Sequence, residues 1–182
     1  PRLSKWKDMQ VLLTGEALKE RNNKSIGSSS GPDGWSAKDL AKLPITCWDM
    51  IADIWNGAMQ KKWQLPDVMA MNWVTVVGKR PISVASIFCR VLGAVMLGEI
   101  DAWIKQIIAE EVPGGIPGGD IEEPVQNIVE AIETAVLQEQ EMKIGYIDLA
   151  KYFDNIDARQ VIEIARLLGM PESVTNLLEW FY

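Results

Sequence analysis

The sequence predicts an α+β fold dominated by helices, on three observations. Apolar residues recur at helical spacing through most of the chain, a β-branched stretch around Gly78 and Lys79 reads as a tight hairpin, and the apolar run Ile144 to Leu149 has the length of a strand.

The segment from Trp6 to about Asn22 predicts an amphipathic helix, with Trp6, Met9, Leu12 or Leu13 and Leu18 as its apolar stripe and Gly15 as a weak point. "NNKSIGSSSGPDGW" follows as a polar loop, dense in Gly, Ser and Asn. Ser36 offers an N-cap with Asp39 three residues on, and Pro44 opens a second helix that carries Trp48, Ile51, Ile54, Trp55 and Met59 toward a core. "WVTVVGKRPIS" supplies the hairpin.

From Val84 to about Glu111, Phe88, Leu92, Met96, Ile100, Ile104 and Ile108 form an i, i+4 ladder, joined by Trp103 and Ile107, which specifies a long amphipathic helix. "VPGGIPGGD" stops it. Asp120 with Glu123 makes a capping box for a helix whose expected buried face is Ile121, Val125, Ile128, Ile132 and Ala135. Ile144, Tyr146, Ile147 and Leu149 read as a strand buried on both faces. Asp157 with Gln160 caps a further helix with the stripe Val161, Ile164, Ala165 and Leu168, and Gly169 followed by Pro171 separates it from the last one.

Composition narrows the class. A hydrophobic share of 48% with 24% charged residues excludes a disordered chain, and 182 residues suffice for one domain or part of a larger one. The start at Pro1 and the apolar close "LLEWFY" read as an excerpt of a longer chain. Cys47 and Cys89, with no histidine, fit neither a disulfide framework nor a zinc site and are expected to be buried thiols in a reducing compartment. No signal peptide is apparent, and the most apolar run, Val84 to Ile108, carries Arg90, Glu99, Asp101 and Lys105. A soluble, intracellular protein with no membrane partner is expected, nucleus or cytoplasm left open.

A net charge of −7 and a pI near 4.7 argue against a self-sufficient nucleic-acid-binding module. The distribution is uneven, however. Fourteen of the eighteen basic residues lie at or before Lys105, whereas nine acids fall between Glu110 and Glu141 with no basic residue among them, so phosphate contacts are expected mainly in the first half.

The chemistry-bearing stretch is "KIGYIDLAKYFDNID", which sets Asp148, Asp154 and Asp157 at and beyond the end of the expected strand. A carboxylate there is costly unless compensated, and a Mg²⁺ ion that takes one or two carboxylates together with phosphates and water is a common compensation. An EF-hand is excluded, because the loop lacks glycine at its sixth position and glutamate at its twelfth. The spacing alone also allows Asp148 to begin a turn and Asp157 to cap a helix.

"IDLAKYFDNI" resembles the first catalytic motif of reverse transcriptases of the non-LTR (LINE-type) retrotransposon and group II intron branch, an apolar strand followed by D-[LV]-x-K-A-F-D-x-[VI]. The match falls on Asp148, Leu149, Lys151, Phe153, Asp154 and Ile156, with Tyr152 in place of the usual alanine. Three more stretches agree in order. "SGPDGW" is similar to A-P-G-P-D-G-[IF]; "KRPISVASIFCRVL" resembles R-P-I-S-L-x-S-x-x-Y-K-[IVL]-[LF]; and "GGIPGGDIEEPVQNI" stands where the family has a G-F-x-x-G-[RK]-S loop leading into a helix. Together they span roughly Ile26 to Tyr182.

The resemblance implies helix-rich fingers and a partial palm of a right-hand polymerase, truncated before the second catalytic motif. Its parts would be a helical extension (1–25), a fingers-like region (26–141) and the start of the palm (142–182). It implies an RNA-directed DNA polymerase, a nucleotidyltransferase acting with two Mg²⁺ ions on an RNA template, a DNA primer and dNTP. Asp148 would be a catalytic metal ligand, with the Leu149 carbonyl completing one ion's shell and Asp154 a structural neighbour. The backbone N–H groups of Lys151 and Tyr152 would face the triphosphate, and Phe153 would stack under the incoming sugar and reject a 2′-hydroxyl. Arg80 would contact the triphosphate, with Lys79 beside it, and Asp33 and Gly34 would shape a turn near the template.

Two departures stand out: "GGIPGGD" has neither the aromatic nor the basic residue of the family loop, and the hairpin is shorter, without the family's earlier lysine. The family's Y-x-D-D and Q-G motifs do not occur in the 182 residues, so the expectation is that this stretch alone does not polymerise. The competing expectation is a degenerate, non-catalytic relic serving as a helical protein-interaction module. An RNA-dependent RNA polymerase is a third, and Phe153 argues against it.

Overall fold

The computed structural model describes residues 4–78, 80–108, 112, 114, 119–120, 122–148 and 155–182. They form two compact units, Pro1–Ile100 with Ala158–Tyr182, and Asp101–Asp157. Helices and one small antiparallel sheet make up the regular structure, an α+β composition.

In the first unit, α1 (Ser4–Lys7), α2 (Gly15–Lys24), α3 (Ala37–Leu40) and α4 (Ile45–Met59) precede a 3₁₀ turn, Asp67–Ala70. The hairpin β1 (Asn72–Val77) and β2 (Arg80–Ala85) leads into α5 (Ile87–Ile107), of which the part up to Ile100 belongs to this unit. The helices α7 (Ala158–Leu167) and α8 (Glu172–Phe181) complete it. Leu18, Leu40, Trp48, Trp55, Ile87 and Val91 are almost wholly buried and form its centre. The α2 helix packs on α4 at Gly15, where a Cβ would lie 2.3 Å from Asp49 Oδ1 and 2.6 Å from Asp49 N, so a side chain would force the helices apart.

The single helix expected from Trp6 to Asn22 is two, with extended chain between them. Thr14 caps α2, its hydroxyl accepting from Ala17 N–H at 3.2 Å. Upstream, Leu13 exchanges two hydrogen bonds of 2.9 Å with the buried Asn56 side chain on α4, through its N–H to Oδ1 and its carbonyl from Nδ2. These bonds satisfy backbone that a helix would have paired within itself, and they hold Val11 and Leu13 in the core.

Three of the other expected helix boundaries form. Ser36 accepts from Asp39 N–H and donates to the Asp39 carboxylate at the start of α3; Pro44 opens α4; Gly169, at φ 82°, ends α7. Two buried faces differ from expectation. Ile54 on α4 is 46% exposed, and α7 buries Ile162 and Ala165 while Val161 and Ile164 face solvent. On α4 the buried side runs through Trp48, Ala52, Trp55 and Met59.

The hairpin pairs Asn72 with Ala85 through to Val77 with Arg80, and Gly78 takes φ 64° at the turn, a conformation that favours glycine.

In the second unit, Lys105 and Asp101 pair at 2.7 Å one turn apart on α5. The helix α6 (Glu122–Leu137) begins where Asp120 Oδ1 accepts from Glu122 N–H at 2.8 Å. None of its residues is buried: Val125, Ile128 and Ile132, expected on a buried face, stand exposed, and Ile121 lies outside the described residues. The expected strand is not formed over residues 144–148, which have no regular structure, and Tyr146 and Ile147 are 88% and 92% exposed. An apolar run becomes a strand only where a neighbour pairs its backbone, and among the described residues β1 and β2 pair only with each other. No helix of the described residues is long and apolar enough to cross a membrane.

Candidate functional site

Two of the four motif stretches meet in the first unit. "SGPDGW" turns at Gly31–Gly34, where Gly34 N–H donates to the Gly31 carbonyl at 3.0 Å and Gly34 adopts φ 73°. Asp33 Oδ1 accepts from Trp35 N–H at 3.2 Å, an Asx turn that fixes the carboxylate. The other oxygen, Oδ2, accepts from the Ser86 hydroxyl at 2.6 Å.

Ser86 joins β2 to α5 and is 2% exposed. Its hydroxyl oxygen accepts from Phe88 N–H at 3.2 Å, while its carbonyl takes the first helical bond, from Arg90 N–H. It is therefore the N-cap of α5, and its own proton goes to Asp33. Gly31 seals the contact: a Cβ there would lie 2.4 Å from the Ala85 carbonyl oxygen and 2.8 Å from Ser86 Cα. Arg90 donates through Nη2 to the Ser29 carbonyl, tying the same loop to the next turn of α5.

Beneath this junction the Cys89 thiol donates to the Met69 carbonyl at 2.8 Å. Burial pushes its pKa up to about 11; the nearby Asp33 charge adds to the rise and the hydrogen bond with Ser86 opposes it. A thiol held this far up is protonated and inert at neutral pH, which suits a packing role. A serine before an apolar helical ladder is a readable N-cap signal, but nothing in the sequence pairs Ser86 with Asp33, Cys89 with Met69 or Arg90 with Ser29.

The remaining expected residues are distributed as follows. The Arg80 backbone pairs with Val77 at the start of β2, directly after the turn; its side chain and Lys79 lie outside the described residues. Asp148 belongs to the second unit and is exposed at the end of the irregular segment. Leu149, Lys151, Tyr152, Phe153 and Asp154 lie outside the described residues. Among the described residues no group of three or more potential metal ligands assembles. Mg²⁺ takes one or two protein carboxylates together with waters and phosphate oxygens, and of the two expected ligands the structure describes Asp148 alone.

No protein-family model matches the chain.

Proposed function

We propose that the chain is the fingers and the first part of the palm of an RNA-directed DNA polymerase of the non-LTR retrotransposon or group II intron type. The observation that most supports this reading is the Asp33–Ser86 hydrogen bond, which joins two of the four motif stretches into one junction at the base of a hairpin carrying Arg80. Chance likeness of separate segments would give no reason for them to pack together.

In this reading the Asp148 carboxylate and the Leu149 carbonyl would hold an ion, with further carboxylates supplied by a Y-x-D-D hairpin that these residues do not contain. Bound Mg²⁺ would activate the primer hydroxyl and neutralise the leaving pyrophosphate. By resemblance to the family, the Arg80 guanidinium would contact the triphosphate, the N–H groups of Lys151 and Tyr152 would donate to phosphate oxygens, and the Phe153 ring would set the choice of sugar.

The test is cDNA synthesis on a primed RNA template by the protein that carries this chain and its downstream Y-x-D-D, against the Asp148→Ala variant. Phe153→Ala in the same protein should relax discrimination against ribonucleotides, and an unchanged preference for dNTP would remove that assignment.

One observation favours a second reading, the non-catalytic interaction module. The α6 helix exposes Val125, Ile128, Val129 and Val136, an apolar surface of the kind a partner protein covers. A folded protein with an intact Y-x-D-D and no synthesis would make it the better account.

A further inference from the structure

In the first unit, the C-terminal end of α4 and one side of α8 enclose an open cavity of about 540 Å³, lined among others by Lys61, Lys62, Trp63, Glu179 and Trp180. We propose that this cavity is a binding site for single-stranded nucleic acid, with Trp63 as a base-stacking platform and Lys62 and Lys61 as phosphate contacts.

The argument begins with how Trp63 is held. A Cβ at Gly57 would lie 2.0 Å from Trp63 Cζ2 and 2.3 Å from Cε2, so the indole lies directly on the α4 backbone at a residue with no side chain. Its Nε1–H donates to the Ile54 carbonyl at 2.9 Å. A glycine inside a helix is unfavourable relative to alanine, and here it admits the ring. The residue is nevertheless 49% exposed. A large aromatic that is fixed at one face and at its N–H, yet half open to solvent, is already ordered for stacking and loses little freedom when a base covers it.

The lysines are placed by the turn that ends α4. Helix α4 closes with Lys62 N–H donating to the Gly57 carbonyl at 2.9 Å and Lys61 N–H to the Ala58 carbonyl at 2.9 Å, the Schellman pattern. The residue that must then be left-handed is normally glycine. Here it is Lys61, at φ 55°. The same pattern closes α6 with Glu139 at φ 53°, so it is the favourable charge at a helix C-terminus that suits a lysine here, and the turn carries the Lys61 and Lys62 side chains to the rim of the cavity.

Charge favours an anion. Glu179, the acid in the lining nearest the lysines, is engaged by two cations, Lys61 at 3.3 Å and Arg166, which also pairs with Glu163 at 2.7 Å. Lys62 has no ion-pair partner among the described residues and is exposed. The second aromatic wall, Trp180, is half-buried and fixed edge-on to Trp55, with ring centroids 6.1 Å apart. Cations flanking aromatic rings in an open cleft form the combination by which proteins hold single strands without reading their sequence. The overall charge of −7 limits the affinity but leaves this local pattern intact.

The inference stands apart from the polymerase reading, since its test needs no metal, primer or dNTP. A labelled twelve-nucleotide uridine RNA is titrated into the chain at 50 and 200 mM salt, following anisotropy and tryptophan fluorescence. Binding with quenching is expected, weakened roughly tenfold or more by Trp63→Ala and much less by Trp63→Phe, which keeps a ring. Lys62→Ala, at an exposed site that cannot disturb the core, should reduce the salt slope by about 0.7. No binding at 50 mM salt overturns the proposal. So does binding that Lys62→Ala weakens while Trp63→Ala, shown folded by circular dichroism, leaves it unchanged.

Discussion

Asp33 and Ser86, 53 residues apart in sequence, share a hydrogen bond of 2.6 Å in which the serine hydroxyl donates to the carboxylate while accepting from Phe88 N–H. The bond is charge-assisted and belongs to a short polarised chain that starts a long helix. It couples the loop between α2 and α3 to the junction of the hairpin with α5.

Removing either partner should therefore cost more than a surface change. Ser86→Ala deprives Asp33 of its donor and α5 of its cap, for an expected loss of about 1–3 kcal/mol. Asp33→Ala should cost about the same, and the double variant less than the sum, because both singles break one contact. Urea unfolding of the four proteins measures this. Strict additivity would mean that the two residues do not interact.

Thiol chemistry offers a second check. With the Cys89 pKa pushed up to about 11, roughly one molecule in a thousand carries its thiolate at pH 8. A thiol-specific dye should therefore label Cys47, which is half-buried, and leave Cys89 until the protein is unfolded. Asp33→Asn removes a charge that raises the Cys89 pKa, so labelling there should quicken. Equal native reactivity of both cysteines would contradict the described burial.

The third prediction concerns pH. Glu179 is held below its ordinary carboxylate range, chiefly by its hydrogen bond from Arg166 and then by that from Lys61. A depressed carboxyl contributes stability above its unfolded pKa, near 4.5, and the contribution is lost as pH falls through the lower folded value. The groups are largely solvated, so the contribution is less than about 1 kcal/mol. Glu179→Gln should lower stability slightly at pH 7, with the difference shrinking toward pH 3. A difference that grows on acidification would contradict the pairing.

These residues also show how far the sequence could be read. Ser36 with Asp39, Pro44 before α4, the hairpin around Gly78 and the ladder from Phe88 to Ile100 are local signals, and each appears where local chemistry puts it. The break in the first helix depends on Asn56, 43 residues from Leu13, which no periodicity contains. The irregular 144–148 segment shows the same limit from the other side, since its apolar pattern states that it could be buried but not what would pair with it. For the candidate site, the Asp33 turn was legible, its partner was not, and Asp148 was found through resemblance because one exposed carboxylate has no spacing signature of its own.

The central claim rests on Asp148, which is exposed. Asp148→Ala should leave unfolding free energy within about 0.5 kcal/mol of the parent. The most direct measurement is Mg²⁺-dependent cDNA synthesis by the protein carrying this chain and a downstream Y-x-D-D, with and without that substitution. The account predicts synthesis by the parent and none by an equally stable variant. Synthesis that survives Asp148→Ala would contradict it.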